Sequence, residues 1–148
     1  MIEIRKLRPE DAAIYQTLRL EALKNYPEAF ASSYEEEVDR DTAFIEKRFR
    51  DQNPDNQFIA GAFYGRELVG IAGFFLTLRQ KLIHKGEIVS VYVSPHVQRK
   101  GVGFKLLQFV IEEARKIESL EQILLTVETE NAAAIRSYEK LGFEKRMA

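Results

Sequence analysis

Two apolar runs, 58–64 and 68–78, are separated by only three residues, Gly65-Arg66-Glu67. Strand-forming residues on both sides of a short glycine-containing turn predict a β-hairpin. Everything else must be arranged around that hairpin. Before it, residues 2–7 alternate Ile2 and Ile4 with polar side chains and predict a short first strand. Arg8-Pro9-Glu10-Asp11 opens a helix, with proline near the first position and carboxylates facing the positive end of the helix dipole. Its apolar stripe is Ala12, Tyr15, Leu18, Ala22 and Leu23, and Asn25-Tyr26-Pro27 stops it. Ser33 to Glu36 has capping-box spacing and begins a second helical region, which Asp41 caps again ahead of Phe44, Ile45 and Phe49. Residues 51–57 are loop by composition.

After the hairpin, "EIVSVYVS" (87–94) predicts a third antiparallel strand. From Gly101 to about Ile117 the period becomes helical, with Val102, Leu106, Phe109, Val110, Ala114 and Ile117 on one face. "QILLTVET" (122–129) is a further strand. Asn131 caps a short helix whose face is Ala134, Ile135, Tyr138 and Leu141, and Gly142 ends it where a left-handed residue is wanted. "FEKRM" (143–147) begins a last strand. A helix crossover joins only the later strands. The class is therefore α/β, with a mixed, largely antiparallel central sheet flanked by helices on both faces.

The bulk numbers bound what such a domain does. The 148 residues suit one domain, 1–148, with one sizeable core. At 45% hydrophobic and 30% charged the chain is too apolar for disorder, and its net charge of -1 gives it no general attraction for nucleic acid. No basic patch carries interleaved aromatic residues, so no nucleic-acid partner is expected. Cysteine is absent, which excludes disulfides, zinc ribbons and thiol catalysis and fits a reducing compartment. The start of the chain is charged from Glu3 and is unlike a signal peptide. No apolar run approaches the ~18 residues of a membrane span, so the expectation is a cytoplasmic protein without membrane partners.

"VQRKGVGFKLL" (97–107) breaks a hydrophobic strand with cations and glycines and starts a helix at once. A helix N-terminus presents unpaired N–H groups and partial positive charge, and Gly101 and Gly103 remove side chains that would hold an anion away. From Ile88 to Ile111 there is no aspartate or glutamate, while Arg99, Lys100 and Lys105 fall within that window. A nucleotide P-loop needs Gly-Lys followed by Ser or Thr, and a dinucleotide fingerprint needs a third glycine where Leu106 stands. What remains is Gln-x-x-Gly-x-Gly, Gln98 to Gly103, or an ordinary turn bearing solvated cations.

That pattern, in this element order, resembles the Gcn5-related N-acetyltransferase (GNAT) superfamily over nearly the whole chain. A second stretch, "NAAAIRSYEKLGF" (131–143), is similar to that family's Asn-x-x-Ala-x-x-x-Tyr-x-x-x-Gly-Phe signature. The resemblance implies an acetyl-CoA-dependent N-acetyltransferase that transfers the acetyl group directly to an amine of a small molecule or protein, without a metal or a covalent enzyme intermediate. It implies cofactor contacts at Val91, Tyr92 and Val93 for the pantetheine arm. Gln98, Arg99, Lys100, Gly101, Val102, Gly103 and Phe104 would surround the pyrophosphate, and Asn131 would also touch the cofactor. Tyr138 would point at the sulfur as the acid, and Glu87 would act as base through water. A non-catalytic acyl-CoA-binding or sensory module on the same fold is the alternative.

The resemblance also frames what is unusual. Ribosomal-protein N-terminal acetyltransferases place a glutamate five residues before the motif asparagine, where this chain has Thr126, with Glu128 offset by two. Acceptor specificity would come from 25–37 and 79–86. Tyr26, Phe30 and Tyr34 would wall the acceptor pocket, and Glu35, Glu36 and Glu37 would either form an acidic rim for a cationic amine or be solvated surface. His84 would serve as a base or stand as an exposed loop residue, and His96 reads as facing solvent. The family ends with two further strands, yet only five residues follow Phe143, so a C-terminal strand is missing. Residues 143–147 would fill the gap, or a partner chain would (a homodimer), or sequence beyond Ala148.

Overall fold

The computed structural model describes residues 2–27, 32–53, 56–76, 85–97, 101–117, 120, 122–125 and 138–143. Strand β1 (Ile2–Lys6) leads through a 3-10 turn (Pro9–Asp11) into α1 (Ala12–Asn25), then α2 (Tyr34–Glu37) and α3 (Thr42–Asp51). The hairpin β2 (Gln57–Tyr64) and β3 (Glu67–Leu76) follows, then β4 (Lys85–Val93), α4 (Val102–Ala114) and β5 (Gln122–Leu125). The sheet order is β1-β2-β3-β4-β5, antiparallel except for the parallel pair β4–β5. This is the mixed sheet expected from the position of the helix crossover.

The caps fall where the side chains allow them. Ser33 Oγ accepts from the Glu36 amide and Asp41 Oδ1 from the Phe44 amide, so the second helical region splits into α2 and α3. The carboxylates expected at the start of α1 do different work. Asp11 is buried, takes a two-pronged contact from Arg5 at 2.8 and 2.9 Å, and accepts the Arg8 amide at 2.7 Å. Burial raises Asp11, but the Arg5 hydrogen bonds outweigh it and hold the carboxyl below its usual range. The first helix is thereby fastened to the first strand.

One face of the sheet packs on α4, through Phe58, Val69, Phe74, Ile88, Leu106 and Val110. The other packs on α1, through Leu18, Ala22, Phe63, Ile71 and Tyr92, and on α3, through Ile45 and Phe49. Helices thus cover both faces. Some boundaries differ from expectation, and others lie outside the described residues. β4 begins two residues earlier, at Lys85, and ends at Val93 rather than Ser94. β3 is described from Glu67 to Leu76, and its expected last residues lie outside the described set. α4 ends at Ala114, and Ile117 closes a further turn by donating to Ala114 C=O. β5 is described to Leu125, so the predicted continuation to 129 and the strand 144–147 also lie outside it.

At residues 138–140 the chain makes a helical turn, and Gly142 follows with φ 98°, the left-handed residue anticipated there. The Phe143 amide donates to Tyr138 C=O and the Gly142 amide to Glu139 C=O, the paired bonds of a Schellman ending. Among the described residues, no helix is long and apolar enough to cross a membrane.

Candidate active site

β4 carries an irregularity that its sequence does not announce. Its register with β3 steps from Ile71↔Tyr92 to Gly73↔Val89, so three residues of β4 span two of β3. At that bulge Ser90 sits at φ 56°, a conformation that costs a non-glycine residue about 1 kcal/mol or more and is usually held by its surroundings. Here Arg19 Nη1 of α1 donates to Ser90 Oγ at 3.0 Å. The same guanidinium donates through Nε and Nη2 to the two carboxylate oxygens of Glu37, each at 3.2 Å. α1, α2 and the bulge are thus tied at one point.

Beside that tie lies a cavity of about 280 Å³ between the bulged strand and the helices. Tyr15, Ile45 and Phe49 wall it from α1 and α3, and Ile71, Phe75 and Val89 from the sheet. Its polar lining includes Arg19, Arg40, Arg48, Glu37 and Ser90. Tyr15 packs edge-on against Phe49 with centroids 5.1 Å apart, and burial pushes its phenol up. Glu37 is 5% exposed. Burial raises its carboxyl, but the hydrogen bonds from Arg19 and the fields of Arg19 and Arg40 bring it below the ordinary range. The acidic rim is corrected accordingly. Glu37 is an internal counter-ion, and only Glu35 and Glu36 stand on the exposed surface.

The other end of β4 carries the glycine loop. α4 opens on Gly101 at φ 74°, and a Cβ there would meet nothing within 4 Å among the described residues. The glycine serves the backbone conformation rather than the packing. The first helical bond of α4 joins the Lys105 amide to Gly101 C=O, so the amides of Val102, Gly103 and Phe104 precede it. The Cβ position of Gly103 lies 3.7 Å from Val93 Cγ2, which seats the helix start against the end of β4. Val93 and Ser90 are three residues apart, about 10 Å along a strand. Helix start and cavity therefore flank one short length of β4.

The remaining candidates fall on both sides of this strand. Glu87 pairs with Phe75 and shares a strand face with Val89, both of which line the cavity. Tyr138 packs against the cluster under α4, and burial raises its phenol. The Tyr92 side chain faces α1, where its hydroxyl donates to Glu21 Oε2 at 2.6 Å and accepts from Asn25 Nδ2 at 3.3 Å. Burial, reinforced by the Glu21 hydrogen bond, pushes Tyr92 up to about 12. Tyr26 stacks obliquely on Tyr92 at 5.8 Å, and Tyr34 opens α2; neither is among the described cavity walls. Phe30, Gln98, Arg99, Lys100, Thr126 and Asn131 lie outside the described residues. Arg19, Arg40, Arg48 and Ser90 had not been anticipated. Arg19 carried a legible signal, a cation one turn after Tyr15 and beside Leu18 on the otherwise apolar stripe of α1.

Comparison with known proteins agrees with this fold. Residues 15–143 match the Acetyltransferase (GNAT) family. An N-alpha-acetyltransferase of Sulfurisphaera tokodaii is 33% identical over 89 residues, 59% of this chain and 53% of that protein. The [Ribosomal protein bS18]-alanine N-acetyltransferase of Escherichia coli is 36% identical over 75 residues, 51% of this chain and 49% of that protein. The chain thus spans about half the length of these curated relatives. Among solved structures, a GNAT-family acetyltransferase from Streptococcus pneumoniae superposes with TM-score 0.81 and 26% identity, covering 96% of this chain and 83% of that one. With a family match that runs from the first helix to Phe143, the chain belongs to the GNAT acetyltransferase family.

Proposed function

We propose that this protein transfers the acetyl group of acetyl-CoA directly to an amine held in the cavity beside β4. The observation that carries this reading is the placement of the glycine-opened start of α4 and the cavity at the two ends of one strand segment, Ser90–Val93. The amides of 102–104, which precede the first helical bond, and the positive end of α4 suit a pyrophosphate, and Gln98, Arg99 and Lys100 would add to its binding. Val91, Tyr92 and Val93 offer backbone to the pantetheine arm, since the Tyr92 side chain is engaged on the α1 side. Asn131 adds a further cofactor contact from the second motif.

In the reaction the amine nitrogen bonds to the acetyl carbon and the carbon–sulfur bond breaks. One proton leaves nitrogen and one is gained by sulfur. A lysine-like amine, pKa ~10.4, is only about one part in a thousand neutral near pH 7, so a base is valuable. Glu87, which pairs with cavity-lining Phe75 but is not itself among the described walls, would take that role through water. Tyr138 serves as the acid toward sulfur. Tyr26, Phe30 and Tyr34 belong to the acceptor approach. The named relatives act on protein N-termini, and an aminoglycoside acetyltransferase from an uncultured soil sample shares the fold at TM-score 0.74 and 17% identity. Thr126 replaces the glutamate expected of the N-terminal enzymes, so their acceptor is not carried over.

The test is release of free CoA thiol from acetyl-CoA across a panel of amines. Acceptor-dependent release is expected. Saturable acetyl-CoA binding with no release for any amine would replace the enzyme with an acyl-CoA-binding module.

A further inference from the structure

Three arginines, Arg19, Arg40 and Arg48, line the cavity beside one carboxylate residue, Glu37. Glu37 engages Arg19 at 3.2 Å and lies 3.7 Å from Arg40, so one negative charge is set against two of these cations already. Arg48 makes no carboxylate ion pair among the described residues. Its guanidinium lies 5.8 Å from the centroid of the Phe44 ring, and that of Arg40 lies 5.4 Å from the same ring. Two positive charges are therefore left over at the described walls. A polyamine or other multiply cationic acceptor would meet repulsion here, whereas guanidinium forks match a carboxylate in shape and charge.

The size narrows the class. About 280 Å³ stands at the small end of the ~300–1,000 Å³ typical of ligand sites and holds about nine waters' worth of volume. The lining also includes apolar Ile45, Phe49, Ile71 and Phe75. Resting on the acetyltransferase reading of this same cavity, we infer that the acceptor is a small amine carrying its own carboxylate, an α-amino acid with an apolar side chain. Arg48 and Arg40 hold the carboxylate, and the apolar wall takes the side chain. The bonds made and broken are those of the acetyl transfer above, and the carboxylate is unchanged.

The test uses the twenty L-α-amino acids, each beside its own primary amide, with CoA thiol release as the readout. The amide keeps the amine and side chain and removes the charge. The acid is expected to exceed the amide by ~10-fold or more in kcat/KM, the worth of one charge-assisted contact. Arg48→Gln should collapse that ratio through KM, with kcat nearly unchanged, and Arg48→Lys should restore part of it. Arg48 is exposed, so the variants should melt as the parent does. Amides used as well as acids, or a ratio unmoved by Arg48→Gln, would overturn the proposal.

A second readout does not depend on turnover. N-acetyl-L-phenylalanine and its amide are titrated into the protein by calorimetry. Tighter binding of the acid, lost in Arg48→Gln, supports the anion site even if no amine is acetylated. Equal binding of the two, or none, refutes it. Failure of thiol release alone counts against the enzyme reading and not against the anion site.

Discussion

Replacing Glu37 by glutamine probes the tie between α1, α2 and the bulge. The side chains of Arg19 and Glu37 are 13% and 7% exposed, the most enclosed ion pair among the described residues. The substitution keeps the shape and removes the charge that offsets Arg19's burial. Breaking one side of a buried pair costs about 3–5 kcal/mol. Arg40, 30% exposed, can turn to water, so the lower figure, about 3 kcal/mol, is expected. For a chain of this length that is a fall in Tm of roughly 6–12 °C. Replacing both residues by methionine should cost clearly less than the two single losses together, because the apolar pair leaves no charge buried. The assay is thermal and urea unfolding of the parent, Glu37→Gln, Arg19→Met, Glu37→Met and the double methionine variant. The pH dependence supplies a sign. Glu37 titrates below 4.5 in the fold, so its contribution is whole above that pH and is lost as pH falls through the depressed value. The gap between parent and Glu37→Gln should therefore narrow in acid. A loss within about 0.5 kcal/mol, or a double variant as unstable as the two losses summed, would refute the reasoning.

Tyr138→Phe should keep measurable turnover, with kcat down by less than ~100-fold. Burial lifts this phenol above 10, against ~8.5 for a thiol, so proton delivery is uphill by more than about 2 kcal/mol. Abolished turnover with intact acetyl-CoA binding would contradict that. Tyr92→Phe removes the 2.6 Å contact to Glu21 and should cost about 1.5–3 kcal/mol in urea unfolding. Because Tyr92 is raised from 10.0 to about 12, its contribution is whole below pH 10 and is lost as pH rises toward 12, where the two proteins should converge.

What was legible in the sequence was what local chemistry controls. The 58–78 hairpin, the caps at Ser33 and Asp41, and the left-handed Gly142 follow from residues within a few positions of one another. The start of α4 at Gly101 was legible for the same reason. The bulge at Ser90 was not, because "VSVYV" reads as a regular strand and the extra residue is defined only by its partner β3. Nor was Glu37 legible as an internal counter-ion. It stands in a run of three glutamates, and only the fold brings Arg19, eighteen residues earlier, against it. Tyr92 was legible as part of the strand, while its bond to Glu21 of α1 depends on tertiary packing.

The central claim is that the start of α4 holds acetyl-CoA, and calorimetric titration of acetyl-CoA into the parent protein, Gly101→Ala and Gly101→Glu tests it most directly. A Cβ at 101 meets no neighbour within 4 Å among the described residues, so both variants are expected to fold, bearing the strain of a left-handed non-glycine residue, about 1 kcal/mol. The account predicts saturable binding by the parent, weaker binding by the alanine variant, and none by the glutamate variant, whose carboxylate occupies the anion's place. Binding by Gly101→Glu as tight as the parent's, or no binding by the folded parent at near-millimolar acetyl-CoA, would contradict it.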